Sequence, residues 1–175
     1  MTGIIFRSFV NLNQDSFLSL YKCLVRSILE YGNCIWSPLY KRQSVCVENV
    51  QRRATKRIKG MYDMTYEERL RFLDLPSLKF RRLRGDLIQL YKLVHCIDDL
   101  KPITFFNYSK TTFTRGDKYK IYMTRCRTMV RQNSFIHRTL TVWNGLKFES
   151  KDTKTVNGFK ASIDRELFHL RFIYD

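Results

Sequence analysis

Four of the five basic residues between positions 52 and 59 have types and a spacing that suit contact with phosphate groups. They are Arg52, Arg53, Lys56 and Lys59. A helix through this stretch, at about 100° per residue, places them opposite an apolar stripe. The stripe consists of Val47, Val50, Ala54 and Ile58. Cationic side chains repeated at helical spacing can follow a phosphate backbone, and arginine adds a bidentate grip. The sequence predicts a phosphate-binding helix face, with a solvated helix face as the alternative.

Arg81 and Arg82 complete the set of predicted nucleic-acid-binding residues. They lie early in a second helix for which Ser77 is the predicted cap. Leu83, Leu87, Leu90, Tyr91 and Val94 share the apolar side of this helix, from which both arginines point away. A solvated face covered by the aliphatic stems is again the alternative.

Asp98 and Asp99 are an adjacent acid pair, the residue type with which polymerases hold two metal ions. They follow a helical pattern here and not an apolar hairpin, so we interpret them as a solvated turn at a helix exit. The three histidines have no Ser or Cys partner in a recognisable nucleophile motif. We therefore predict that this chain holds no catalytic residue, no metal site and no cofactor.

The charge balance favours polyanionic partners. Lys and Arg number 32 against 16 Asp and Glu, a formal charge of +16, within 175 residues of which 44% are hydrophobic. The hydrophobic content predicts a folded core, and the excess charge predicts nucleic acid as the partner in preference to anionic lipid.

Cysteine usage and hydropathy indicate an intracellular protein, nuclear or cytoplasmic. The five cysteines form no C-x-x-C pair, which is typical of reduced thiols. No apolar run is long enough to cross a membrane, and Arg7 interrupts the apolar start, so neither a signal peptide nor a membrane partner is expected.

The element pattern predicts a mainly α fold: a helical, thumb-like bundle over residues 1–101, a linker or ordered loop over 102–118, and a small mixed α+β segment over 119–175. In the bundle, Gly60 is expected to end the first basic helix, and Thr65 with Glu68 forms a capping box for the next. Trp36 beside a proline is expected to be buried.

The last segment is predicted from alternation and from caps. Tyr119, Ile121 and Met123 alternate with polar residues as in a strand, and residues 128–130 could pair with them. A helix anchored by Trp143 follows, and Thr155 is expected to cap a final helix.

The order of several short motifs resembles the region that follows the catalytic palm in jockey-type and chicken-repeat-type LINE reverse transcriptases. The motifs are Leu20-Tyr21-Lys22-Cys23-Leu24-Val25-Arg26-Ser27-Ile28-Leu29-Glu30-Tyr31-Gly32, Trp36-Ser37-Pro38, Gln51-Arg52-Arg53, Tyr66-Glu67-Glu68-Arg69-Leu70, Arg81-Arg82-Leu83-Arg84-Gly85-Asp86, Arg125-Cys126-Arg127, Val142-Trp143-Asn144 and Val156-Asn157-Gly158-Phe159-Lys160. They extend over nearly the whole chain. The sequence departs from the family at Ser27 and Lys147, where a proline is usual.

The resemblance implies a truncated RNA-directed DNA polymerase that retains the template- and primer-binding thumb and C-terminal region. The polymerase active site, which takes Mg²⁺ in the complete enzyme, would lie upstream, so this chain alone is expected not to polymerise. Its partners would be a template–primer nucleic acid, bound without regard to sequence, and an upstream polymerase domain. The alternative is a host-retained, non-enzymatic module that binds nucleic acid or protein.

Overall fold

The computed structural model describes residues 2–8, 13–109 and 117–174, and these residues form a mainly helical protein. The α-helices are α1 (Thr2–Ser8), α2 (Gln14–Leu20), α3 (Ser27–Glu30), α4 (Lys41–Lys56), α5 (Tyr66–Phe72), α6 (Leu78–Val94), α7 (Met129–Gln132), α8 (Phe135–Gly145), α9 (Phe148–Lys151) and α10 (Val156–Glu166). A π-helical segment, Tyr21–Arg26, joins α2 to α3. Short 3₁₀ turns occupy Pro102–Thr104 and Phe168–Leu170.

The described residues group into two compact units. One unit lies within Met1–Asn33, Tyr40–Arg81 and Leu170–Asp175, and the other within Cys34–Leu39 and Arg82–His169. The sequence predicted a boundary in the loop at 102–118. That division remains a prediction, and residues 110–116 of the loop lie outside the described part of the chain.

Three predicted helix starts are confirmed by their capping bonds. The Thr65 hydroxyl accepts from the Glu68 amide, and the Glu68 carboxylate accepts from the Thr65 amide at 2.7 Å, completing the capping box of α5. The Ser77 hydroxyl accepts from the Phe80 amide at 3.2 Å, and the Thr155 hydroxyl accepts from the Gly158 amide at 3.0 Å. Each cap satisfies an amide that the first helical turn would leave without a partner.

The first basic helix is shorter than predicted. Helix α4 ends at Lys56, four residues before Gly60, which adopts the left-handed φ of 83° in the turn that follows. Residues 57–60 therefore leave the helical periodicity on which the predicted face depended.

The buried side of α4 is more polar than the predicted stripe. Glu48, Gln51, Ala54 and Thr55 are buried, whereas Val47 and Val50 are only half-buried. The polar members have partners: Gln51 Oε1 accepts from the Tyr21 hydroxyl at 2.8 Å, and Gln51 Nε2 donates to the Pro76 carbonyl at 3.0 Å. With these hydrogen bonds, the buried face of α4 is centred nearer to Gln51 than the predicted apolar stripe was.

The second unit packs around aromatic side chains of α6, α8 and α10. Trp143 and Phe159 are fully buried, as predicted for Trp143, and the Phe159 ring stacks on Tyr91 at 4.3 Å. The expectation for Trp36 was wrong, because this side chain is 38% exposed. A turn tryptophan is buried only where another element covers it, which local sequence does not specify.

The predicted C-terminal strands are absent from the described residues, so the expected α+β segment is wrong. A single antiparallel bridge joins Tyr108 to Ile121. Thr128 caps the short helix α7 through its hydroxyl, which accepts from the Arg131 amide. Asn144 of α8 occupies both backbone hydrogen-bonding groups of Ile121, so a helix side chain takes the place of a partner strand.

Candidate functional site

An open groove of about 770 Å³ lies at the C-terminal end of α4, within the first unit. Its lining combines the last turn of the helix, the turn that follows it and the start of α1. The lining residues are Thr2, Gly3, Arg53, Ala54, Lys56, Arg57, Ile58, Lys59, Gly60 and Tyr62. Four of these ten residues are cationic and none carries a carboxylate, so the groove suits an anionic ligand.

The cations lie on the exposed side of the chain. Arg53 and Lys56 are three residues apart and share one face of α4, and both side chains are exposed. Lys59 reaches the groove from the turn after the helix and is also exposed. The cationic side chains therefore follow one another along the groove between positions 53 and 59.

Two neighbouring aromatic rings orient the cations. Lys56 Nζ lies 4.4 Å from the ring centre of Tyr62, and the Arg57 guanidinium lies 4.6 Å from that of Phe6. A cation over a ring gains about 0.5–1 kcal/mol at an exposed site, which restrains the side chain without neutralising its charge. The charges therefore remain available to a ligand.

No family model, no curated protein and no solved structure matches this chain.

Three of the four residues of the predicted face line the groove, and Arg52 does not. The Arg52 guanidinium is half-buried and lies 5.0 Å from the ring centres of both Tyr66 and Tyr174. Its Nε is buried and makes no hydrogen bond to the part of the chain that the structure describes. Arg52 packs against two tyrosine rings that also contact each other, and Tyr174 belongs to the C-terminal segment.

Arg81 and Arg82 are not among the residues that line the groove, and neither of them is exposed. Arg81 forms a bidentate ion pair with Glu30, with N–O distances of 2.9 and 2.7 Å. Arg82 is buried at 6% exposure. The helix pattern indicated that both would point outward, but it could not indicate that other elements cover that side.

Arg57 is the groove residue that sequence reasoning missed. Helical spacing places Arg57 about 100° from Lys56, at the edge of the predicted apolar stripe, whereas in the structure the residue is exposed and lines the groove. The signal that could have found it is the local density of four cations between positions 53 and 59, taken without assuming helical geometry.

Asp98, the first residue of the acid pair, is engaged in local contacts. Asp98 accepts a hydrogen bond from Gln89 Nε2 at 2.7 Å and lies 3.7 Å from Lys92 Nζ. Within residues 2–8, 13–109 and 117–174, no three His, Cys, Asp or Glu side chains lie close enough together to bind a metal ion. None of the helices in these ranges is long and apolar enough to span a membrane.

Proposed function

We propose that the groove at the end of α4 binds the phosphate backbone of nucleic acid without reading its sequence. The observation that carries the proposal is the convergence of Arg53, Lys56, Arg57 and Lys59 on one open surface without a carboxylate. Charge and shape of this kind recognise phosphates, whereas reading of bases requires side chains placed within a groove of the nucleic acid.

The resemblance to LINE reverse transcriptases gives this binding a role. In those polymerases the corresponding region holds template and primer while the palm performs the chemistry. The chain would hold the template and primer during RNA-directed DNA synthesis and would not itself be the catalyst. The formal charge of +16 is in keeping with a surface that meets a polyanion.

Charge reversal in the groove tests the proposal. The variant Arg53→Glu/Lys56→Glu is compared with the natural chain in binding a labelled duplex over a series of salt concentrations. Each phosphate contact contributes about 0.9 to the log–log salt slope, so the slope should fall by about two units. Duplexes of unrelated sequence should bind with equal affinity.

The matched control is Lys22→Glu/Arg71→Glu, which changes the net charge equally at two exposed positions of the same unit that do not line the groove. A slope that falls equally in both variants would mean that only the net charge matters. A slope unchanged in the groove variant, with binding retained, would leave the groove as a surface for another protein domain and would refute the proposal.

A further inference from the structure

A second cationic region lies in the other unit, and the proposed groove does not account for it. Residues 118–148 contain no Asp or Glu and include Lys118, Lys120, Arg125, Arg127, Arg131, Arg138 and Lys147. Lys118 pairs with Asp152, and Arg138 pairs with Asp86. The remaining three arginines are exposed and form no ion pair within the residues that the structure describes.

These three arginines line one open recess of about 350 Å³, together with Thr128. The Thr128 hydroxyl caps α7 and fixes the backbone from which Arg131 projects. Three guanidinium groups without a carboxylate among them repel one another unless an anion lies between them. Their donors match the oxygens of a phosphate group.

Arg131 also lines an adjoining recess of about 220 Å³. Its walls include Phe105, which is 43% exposed, and Tyr122, which is 58% exposed. His137 lies in the same wall, and burial together with the charge of Arg131 lowers the pKa of its imidazole. A lower pKa favours the uncharged form of this ring, so the recess offers flat side chains beside the cationic one.

The tyrosine is held by a network that is anchored on α8. Trp143 Nε1 donates to the Tyr119 carbonyl at 2.9 Å, and Asn144 bonds both backbone groups of Ile121 at 2.9 and 3.1 Å. The amide of Tyr122 then donates to the Asn107 carbonyl at 2.8 Å. A backbone fixed at these points restrains the Cα atom from which the ring projects, which reduces the backbone entropy lost on binding.

We infer that Arg125, Arg127, Arg131 and Tyr122 form a binding site for single-stranded nucleic acid. Phosphates meet the arginines, and an unstacked base packs against the tyrosine in the adjoining recess. Proteins bind single strands with surfaces that combine cationic side chains and exposed aromatic rings. A duplex keeps its bases stacked on one another, so they cannot pack against such rings. An acidic peptide would use the arginines but has no need of the aromatic wall.

The test uses the full chain and a labelled oligothymidylate of roughly ten nucleotides, within the site size of small single-strand-binding surfaces. Arg125→Glu/Arg127→Glu should lower the salt slope by about 1.4, since each single-strand contact contributes about 0.7. Tyr122→Ala should lower the affinity about fivefold or more and leave the slope unchanged. Tyr122→Phe keeps the ring and should bind as the natural chain does.

Lys147→Glu/Lys154→Glu is the matched control, because both residues are exposed, belong to the same unit and line neither recess. An unchanged slope in the arginine variant, or full affinity in Tyr122→Ala, would overturn the inference. Polyglutamate that displaces the oligonucleotide as strongly as unlabelled oligothymidylate does would overturn it in favour of an acidic protein partner. Circular dichroism of each variant verifies that the fold is retained.

The arginine change is also introduced into Arg53→Glu/Lys56→Glu. The loss of slope on oligothymidylate should be the same in both backgrounds, because the two sites belong to different units. A loss seen only in the natural background would mean that the recess contributes nothing of its own. Duplex binding, measured in parallel, reports on the groove of α4 and separates failure of that proposal from failure of this one.

Discussion

Glu48 is buried and accepts, through Oε1, a hydrogen bond of 2.6 Å from the hydroxyl of Tyr66. The same carboxylate accepts from the backbone amides of Leu78 and Lys79 at 3.2 and 3.3 Å, so it caps the start of α6 from a position thirty residues earlier in the chain. A negative charge at a helix N-terminus is stabilising and satisfies amides that lack a partner within the helix. Glu48 thereby links α4, α5 and α6.

Glu48→Ala should lower the free energy of unfolding by about 2–4 kcal/mol, because three donors, two of them in buried hydrogen bonds, lose their acceptor. Denaturant titration measures the change. Glu149→Ala, at an exposed glutamate, is the control and should change stability by less than about 0.5 kcal/mol. Equal free energies of unfolding for the two variants would contradict the stabilising role of Glu48 as a cap of α6.

The first unit should lose stability as the pH rises above about 10. Burial, followed by the nearby charge of Glu48, raises the pKa of both Tyr66 and Tyr21 far above the ordinary value. The unfolded chain then releases protons that the folded chain retains, so the contribution is complete below pH 10 and declines above it, by about 1.4 kcal/mol per pH unit for each tyrosine.

Denaturant titrations between about pH 8 and pH 11 measure this decline. Tyr66→Phe and Tyr21→Phe should each make it shallower, whereas Tyr62→Phe, at an exposed tyrosine, should not. A decline of the same steepness in all three variants would assign the pH dependence to other groups.

Substitutions at the neighbouring residues Arg52 and Arg53 should affect different properties, namely stability for Arg52 and nucleic-acid binding for Arg53. Arg52→Ala removes a guanidinium that packs against two tyrosine rings and should lower the free energy of unfolding by about 1–2 kcal/mol, with the duplex salt slope unchanged. Arg53→Ala should leave stability unchanged and lower the slope by about 0.9. Denaturation and salt-dependent binding of both variants test the pair, and the reverse pattern would contradict the groove assignment.

Cys34 should react with iodoacetamide more slowly than the exposed Cys23, Cys46 and Cys96. Burial, with the negative charge of Asp86 nearby, raises the pKa of the Cys34 thiol to about 11. The thiolate is the nucleophile, so little of the reactive form exists at about pH 8. Timed alkylation followed by peptide mass spectrometry gives the four rates, and denaturant should make them equal. Cys34 labelling as fast as Cys46 in the folded chain would contradict the expected protection.

Sequence alone determined the features that depend on near neighbours. The caps at Thr65, Ser77 and Thr155 involve atoms three residues apart, so residue type and spacing were sufficient to predict them. Burial of Trp143 followed from helical periodicity on an apolar face. The anionic ligand that the cationic composition predicts remains a prediction.

Tertiary structure decided which charges reach solvent. Arg52, Arg81 and Arg82 have the same residue type and helical context as Arg53, but the partners that turn them inward lie far away in the chain: Tyr174 for Arg52 and Glu30 for Arg81. The buried face of α4 likewise depends on Tyr21, Tyr66 and Pro76, whose hydrogen bonds make Glu48 and Gln51 better interior residues than Val47 and Val50. Periodicity ranks residues by their own polarity, whereas burial follows from whether a polar group finds a partner after the chain has folded.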